Sequence, residues 1–151
     1  MLTICTTGIR VSELRFITAE TLASGRTEIR LKGKSRVVLL PRELAQRLRQ
    51  YAQARGIRSG PLFRTRTGMP LDRSNIWREM KTLCREAGVA PEKVFPHNLR
   101  HLFARSFYEQ EKDLAHLADI LGHSSIETTR IYVAVSTQVH EQMLQRMRLI
   151  L

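Results

Sequence analysis

Four polar sets in this 151-residue chain fit neither a core nor an ordinary surface. Arg10 follows Gly8 at a helix break, in TGIRVSEL. Lys32 and Lys34 flank Gly33 in LKGK. His97, Arg100 and His101 share one short stretch, HNLRH. His123 follows Gly122 in LGHSS, and Tyr132 comes nine residues later. Each set alone is weak, because an arginine near a glycine is usually a surface group and a tyrosine between Ile131 and Val133 is usually core. Together they carry the parts needed for phosphoryl transfer. Two arginines can neutralise the non-bridging oxygens of a phosphodiester as charge builds there. A phenol can attack phosphorus and keep the bond as a phosphotyrosine. A histidine can move the phenol's proton or donate to the phosphate, and a lysine can protonate the leaving oxygen.

A metal is not part of this expectation. His97 and His101 stand four residues apart and could share an ion. A closed site needs two further ligands, and the nearest candidates, His116 and the acids around Glu109, have no recognised metal spacing. The sequence calls for no cofactor.

Charge points to the partner. Lysine and arginine total 25 against 14 acids, a net charge of +11. That excess fits nucleic acid, and most of these cations are arginine, whose planar fork matches phosphate. The densest run is Arg26, Arg30, Lys32, Lys34 and Arg36, with Glu28 its only acid. It does not follow a helical stripe, which argues against an amphipathic membrane segment. Arg30, Lys34 and Arg36 are accordingly read as nucleic-acid contacts. No apolar run approaches the ~20 residues of a membrane span. The first residues lack the pattern of a signal peptide. Cys5 and Cys84 lie far apart and read as small core residues. These features lead us to expect a single cytoplasmic domain.

These groups can act together only if the fold gathers them, so the positioning elements matter. Residues 1–7 read as the end of a helix stopped by Gly8, and Val11–Ile17 as a short helix. Thr27–Leu31 and Arg36–Leu40 read as a hairpin around the turn 32–35. A helix should start after Pro41 and present Leu44, Leu48, Tyr51 and Ala52 until Gly56. Residues 57–72 read as loop, with a short extended piece at Leu62 and Phe63. Asp72 should cap a helix carrying Ile76, Met80, Leu83, Cys84 and Ala87 on one face. Asn98–Glu109 should bury Leu99, Leu102, Phe103 and Phe107, and Asp113–Leu121 should stop at Gly122. Ser124 to Glu127 fits an S-x-x-E capping box. Thr137–Leu151 reads as a last amphipathic helix. The expected class is mainly α with a small antiparallel β-hairpin.

With these motifs in order, the chain resembles the catalytic domain of tyrosine recombinases, the phage integrase family. TGIRVSEL, LKGK, HNLRH, LGHSS and the following tyrosine match in order and spacing from Gly8 to about Val135. Within the family it most resembles integrases of bacterial phages and mobile elements. The resemblance implies that Arg10 and Arg100 clamp the scissile phosphate and that Glu13 braces the first motif. It implies Lys32 as the acid that protonates the leaving 5′-hydroxyl, with Lys34 as the competitor. It implies His97 as proton acceptor for the tyrosine, His123 as a donor to the phosphate and Tyr132 as the nucleophile. His101 is read as structural. The family makes a 3′-phosphotyrosine, exchanges strands through a four-way junction and reseals without ATP or metal.

The resemblance also implies that residues 1–151 are the catalytic domain, without the family's N-terminal core-binding domain and the first helix of the catalytic domain. The C-terminal segment 137–151 would be its tail helix. Double-stranded DNA is the expected partner, which makes Arg30, Lys34 and Arg36 DNA contacts. A tetramer on DNA is expected of the full-length protein, and a monomer or weak dimer of this chain. The alternatives are supercoil relaxation of the type IB topoisomerase kind and a basic DNA-binding fragment without catalytic competence.

Overall fold

A computed structural model describes residues 1–31, 33–132 and 146. Seven helices and one hairpin follow in the order α1 (Leu2–Thr7), α2 (Ala19–Ser24), β1 (Arg26–Leu31), β2 (Lys34–Leu39), α3 (Arg42–Ala54), α4 (Arg73–Glu86), α5 (Pro96–Glu111), α6 (Leu114–Leu121) and α7 (Glu127–Arg130) among the described residues. Two 3-10 helices, Val11–Phe16 and Pro91–Lys93, interrupt this series. The class is the one expected.

Local chemistry accounts for most boundaries. Thr18 accepts from the Thr21 amide and caps α2. Asp72 accepts from the Asn75 amide at 2.7 Å and caps α4. Asp113 does the same for α6 through His116, at 2.9 Å. Pro96 opens α5 at a position that needs no amide hydrogen.

The hairpin is tighter than the sequence suggests. Leu31 pairs with Lys34, so β2 begins two residues earlier than expected, and Leu40 lies beyond it. Ile29 faces Arg36 and Arg30 faces Ser35 in this register. Side chains alternate across a strand, so Thr27, Ile29, Arg36 and Val38 share the inner face. Arg26, Glu28, Arg30, Ser35, Val37 and Leu39 share the outer face, where Val37 and Leu39 are exposed. The basic run of the sequence is therefore split between two faces.

One apolar core joins Ile4, Ile9, Leu14 and Ile17 to Leu22, Ile29, Val38, Leu44, Leu48 and Leu62. A smaller cluster holds Ala104, Leu117, Leu121 and Tyr132, with Phe103 and Phe107 packed against it. Three expectations need correction, the first being Leu83, which belongs to the expected stripe of α4 but is exposed. Leu102 is exposed, because the buried face of α5 runs through Arg100 and Ala104 instead. Residues 19–24, unassigned in the sequence, form α2, a helix too short to show a stripe. The cap of α7 is not the S-x-x-E box: Ser125 Oγ accepts from the Glu127 amide at 3.2 Å, while Ser124 faces a cleft. The expected tail helix 137–151 lies outside the described residues, apart from Arg146.

Candidate active site

Glu13 is the floor of the site. It is almost fully buried on the 3-10 helix after the Gly8 break. Its Oε1 accepts from Arg10 Nη1 at 3.0 Å. Its Oε2 accepts from the Arg10 amide at 2.9 Å and from Arg36 Nη2. Burial alone would raise its pKa, but the Arg10 amide and the Arg36 and Arg10 guanidiniums together hold it below the ordinary carboxylate range. Glu13 is thus an anion that fixes two cations.

Arg10 remains the accessible one. Its side chain is 40% exposed, and its Nη2 donates to the Gly122 carbonyl at 3.2 Å. Gly122 has φ +65° and ends α6. A Cβ there would collide with Arg36 Cδ, so only glycine lets Arg36 lie along this backbone. Arg36 Nη1 donates to the Ile120 carbonyl, and burial lowers the pKa of its guanidinium. Arg36 was expected to be a DNA contact. It lies inside the fold, because strand alternation turns it to the face of Ile29, where Glu13 receives it.

Arg100 rises from the first turns of α5 and is also buried. Its Nη1 donates to the Gly8 carbonyl, and its Nη2 to the Leu121 carbonyl at 2.7 Å and to His123 Nε2 at 3.0 Å. Gly8 has φ +62° and meets Phe103 where a Cβ would be, which brings α1 close enough for that bond. Burial, then the charges of Arg10 and Arg36, push the Arg100 pKa down to about 10, against the opposing pull of the nearby Tyr132 phenol. Burial and the same three arginines lower the His123 pKa to about 4, so His123 is neutral near pH 7.

Tyr132 is buried beside these groups. Its ring meets the His101 ring edge-on at 4.5 Å between centroids and lies nearly parallel to the His123 ring at 6.1 Å. His97 stands one step further out, with its Nε2 2.6 Å from His101 Nε2. The imidazole against the tyrosine is therefore that of His101, and His97 pairs with it. Thr129 Oγ1 lies 2.8 Å from His123 Nδ1. Sequence reasoning missed Thr129, whose signal was only its place between His123 and Tyr132.

The hairpin lysines are less informative. Lys32 lies outside the described residues. Lys34 opens β2 opposite Leu31. Arg30 is on the outer face, held by Glu28 at 2.8 and 2.9 Å. Among the described residues, no group of three His, Cys, Asp or Glu could hold a metal, and no helix is long and apolar enough to cross a membrane.

A cleft of about 900 Å³ opens over this arrangement, lined by Arg10, Glu13, Ser35, Arg36, Gly122 and His123 among others. Arg10 and Arg36 hold Glu13, and Arg100 adds a third positive charge against His123, so these cations outnumber the acids of the lining, Glu13 and Asp119, by one. Such a field suits an anion with several acceptor oxygens.

Comparison with known proteins identifies the family. Residues 1–139 match the model of the phage integrase family. The chain belongs to that family. It is 36% identical over 138 residues to the tyrosine recombinase XerA of Thermococcus kodakarensis, covering 87% of this chain and 48% of that protein. A crystal structure of XerA recombinase superposes with a TM-score of 0.76 at 30% identity, over 99% of this chain and 55% of the other. A structure of XerH site-specific recombinase bound to difH substrate gives 0.77 at 28% identity, over 97% and 45%. The integrase-family chain thus spans about half the length of the curated relatives it matches.

Proposed function

We propose that the chain is the catalytic part of a site-specific DNA recombinase that cleaves and rejoins strands through a 3′-phosphotyrosine. One observation carries this reading. Arg10, Arg100, His123 and Tyr132 come from four separate segments and meet around an unbalanced positive charge beside a cleft. Family membership and similarity to tyrosine recombinases support it.

In the proposed reaction the Tyr132 oxygen attacks phosphorus in line with the departing 5′-oxygen. The P–O5′ bond breaks as the Tyr–O–P bond forms, so one ester replaces another and no energy source is needed. The phenolic proton passes to the paired imidazoles of His97 and His101, and Lys32 gives a proton to the 5′-oxygen. Arg10, Arg100 and His123 stabilise the charge on the non-bridging oxygens. Glu13 and Arg36 hold Arg10 in place. Arg30 and Lys34 contact DNA outside the reacting phosphate. Four copies assemble on two DNA sites for strand exchange in the cytoplasm, whereas the chain in solution is a monomer or weak dimer.

The test is a covalent adduct. A labelled nicked duplex, from which the short cleaved strand diffuses away, should leave DNA joined to the protein through denaturation. Tyr132→Phe keeps the ring and should abolish the adduct. An adduct of undiminished yield in that variant would remove Tyr132 from the role.

A further inference from the structure

His123 has two ring nitrogens with different partners, and the partners decide which one carries hydrogen. Arg100 Nη2 faces Nε2 at 3.0 Å. A guanidinium nitrogen can only donate, so Nε2 must accept with its lone pair. A neutral imidazole has one hydrogen, which then sits on Nδ1 and is donated to Thr129 Oγ1 at 2.8 Å. Thr129 is completely buried, whereas the His123 ring is only partly so. The Thr129 carbonyl also accepts from the Tyr132 amide at 3.1 Å, so one turn of chain carries both the partner of His123 and the tyrosine.

We propose that Thr129 is a positioning residue that, together with Arg100, holds the resting tautomer of His123, with its hydrogen on Nδ1 and its lone pair toward Arg100. This role goes beyond the reaction proposed above and rests on it only for its effect on cleavage. The choice of a hydroxyl has a consequence. To donate to a phosphate oxygen, His123 must carry hydrogen on Nε2. That form arises when Nε2 takes a proton from water and Nδ1 returns one to water, leaving the ring neutral. A hydroxyl can then turn and donate to the bare Nδ1, so Thr129 satisfies either form. A carboxylate could not, because it only accepts, and a methyl would satisfy neither. Arg10, Arg36 and Arg100 all bear on the ring with positive charge, which keeps it neutral while it changes form.

The nitrogen resonances of His123 in the ¹⁵N-labelled chain read the tautomer directly, without DNA. The wild type should show a pyrrole-like Nδ1 and a pyridine-like Nε2 at neutral pH. Thr129→Val preserves the shape and removes the hydroxyl. It should average the two resonances and slow adduct formation on the order of 10–100-fold, the scale of losing a partner that orients a functional histidine. Thr129→Ser should restore both. A pyridine-like Nδ1 in the wild type would overturn the inference, as would unchanged resonances in Thr129→Val. Failure of Thr129→Ser to restore them would show that the methyl matters and the hydroxyl does not, which also overturns it. If the wild-type chain forms no adduct, the recombinase reading fails, yet the resonances still decide the tautomer.

Discussion

The hairpin carries two arginine–glutamate pairs of the same chemistry in opposite settings. Arg36 and Glu13 meet inside, with side chains 12% and 2% exposed. Arg30 and Glu28 meet outside, 77% and 45% exposed, and Ser35 joins them with a bond to Glu28 at 2.7 Å. Both pairs are short, but the outer one is a two-bond fork and the inner one a single bond from Arg36 Nη2 to Glu13 Oε2. Water and salt screen the outer pair, and holding its long side chains costs entropy that offsets the attraction. The inner pair has lost its water, so each ion depends on its partner. Contact geometry therefore does not rank them, and burial does. The inner pair also connects to Arg10 and so to the cleft, which makes it the link between hairpin and site.

The largest effect on stability should come from Glu13→Ala. It leaves Arg36 buried without its carboxylate and Arg10 without its brace. Removing one member of a buried pair costs about 3–5 kcal/mol, against total stabilities of about 5–15 kcal/mol. Thermal or urea unfolding should show that loss, and a change under about 1 kcal/mol, the scale of a surface pair, would put the inner pair in the same class as the outer one. The depressed pKa of Glu13 gives a second signature. Its stabilisation is present above the usual carboxylate range and is lost only as pH falls through a folded-state value below that range. The variant should lack this acid-side component.

Much of this contrast is hidden from sequence reading, for physical reasons. Arg10, His97, Arg100 and His123 stand in short motifs with glycine or histidine nearby, and Tyr132 follows the last of them at a fixed distance, so their types and spacing are visible. Helices α3 and α4 are visible too, since apolar periodicity and capping residues act within a few positions. Arg36 belongs to a basic run, and only strand pairing reveals that it turns inward while Arg30 turns outward. His101 looks structural in sequence because its contact with Tyr132 spans 31 positions. Thr129 resembles any helix threonine until His123 is seen beside it. Residue 102 misled because the face of α5 that would hold an apolar side chain is partly taken by buried Arg100.

A smaller, pH-linked effect distinguishes the interior from the hairpin surface through His123. Its folded pKa lies at about 4, below the ordinary imidazole value of 6.5. Burial is the main cause, and the charges of Arg100, Arg10 and Arg36 add to it. The unfolded chain therefore binds more protons than the folded one between those values. Stability contributed by the neutral ring is complete above about pH 6.5 and declines as pH falls toward 4. Melting temperatures across that window should fall more steeply in the wild type than in His123→Asn. Parallel curves would mean that the ring titrates alike in both states.

The smallest effect should come from Arg30→Ala, and it is the sharpest check on the comparison because it alters the pair with the better-formed contacts. Two guanidinium bonds reach Glu28, yet both side chains stand in water. In the variant, Glu28 keeps its bond from Ser35 and regains full hydration, so no buried charge is left behind. The melting temperature should stay within error of the wild type at low and high salt. DNA binding should still weaken slightly. If Arg30 neutralises one phosphate, its loss should lower the slope of log affinity against log salt by about 0.9. Melting and binding thus separate two roles that one ion pair could hold. A clear drop in melting temperature, with an unchanged salt slope, would make the outer pair structural and would break the rule that burial ranks these two pairs.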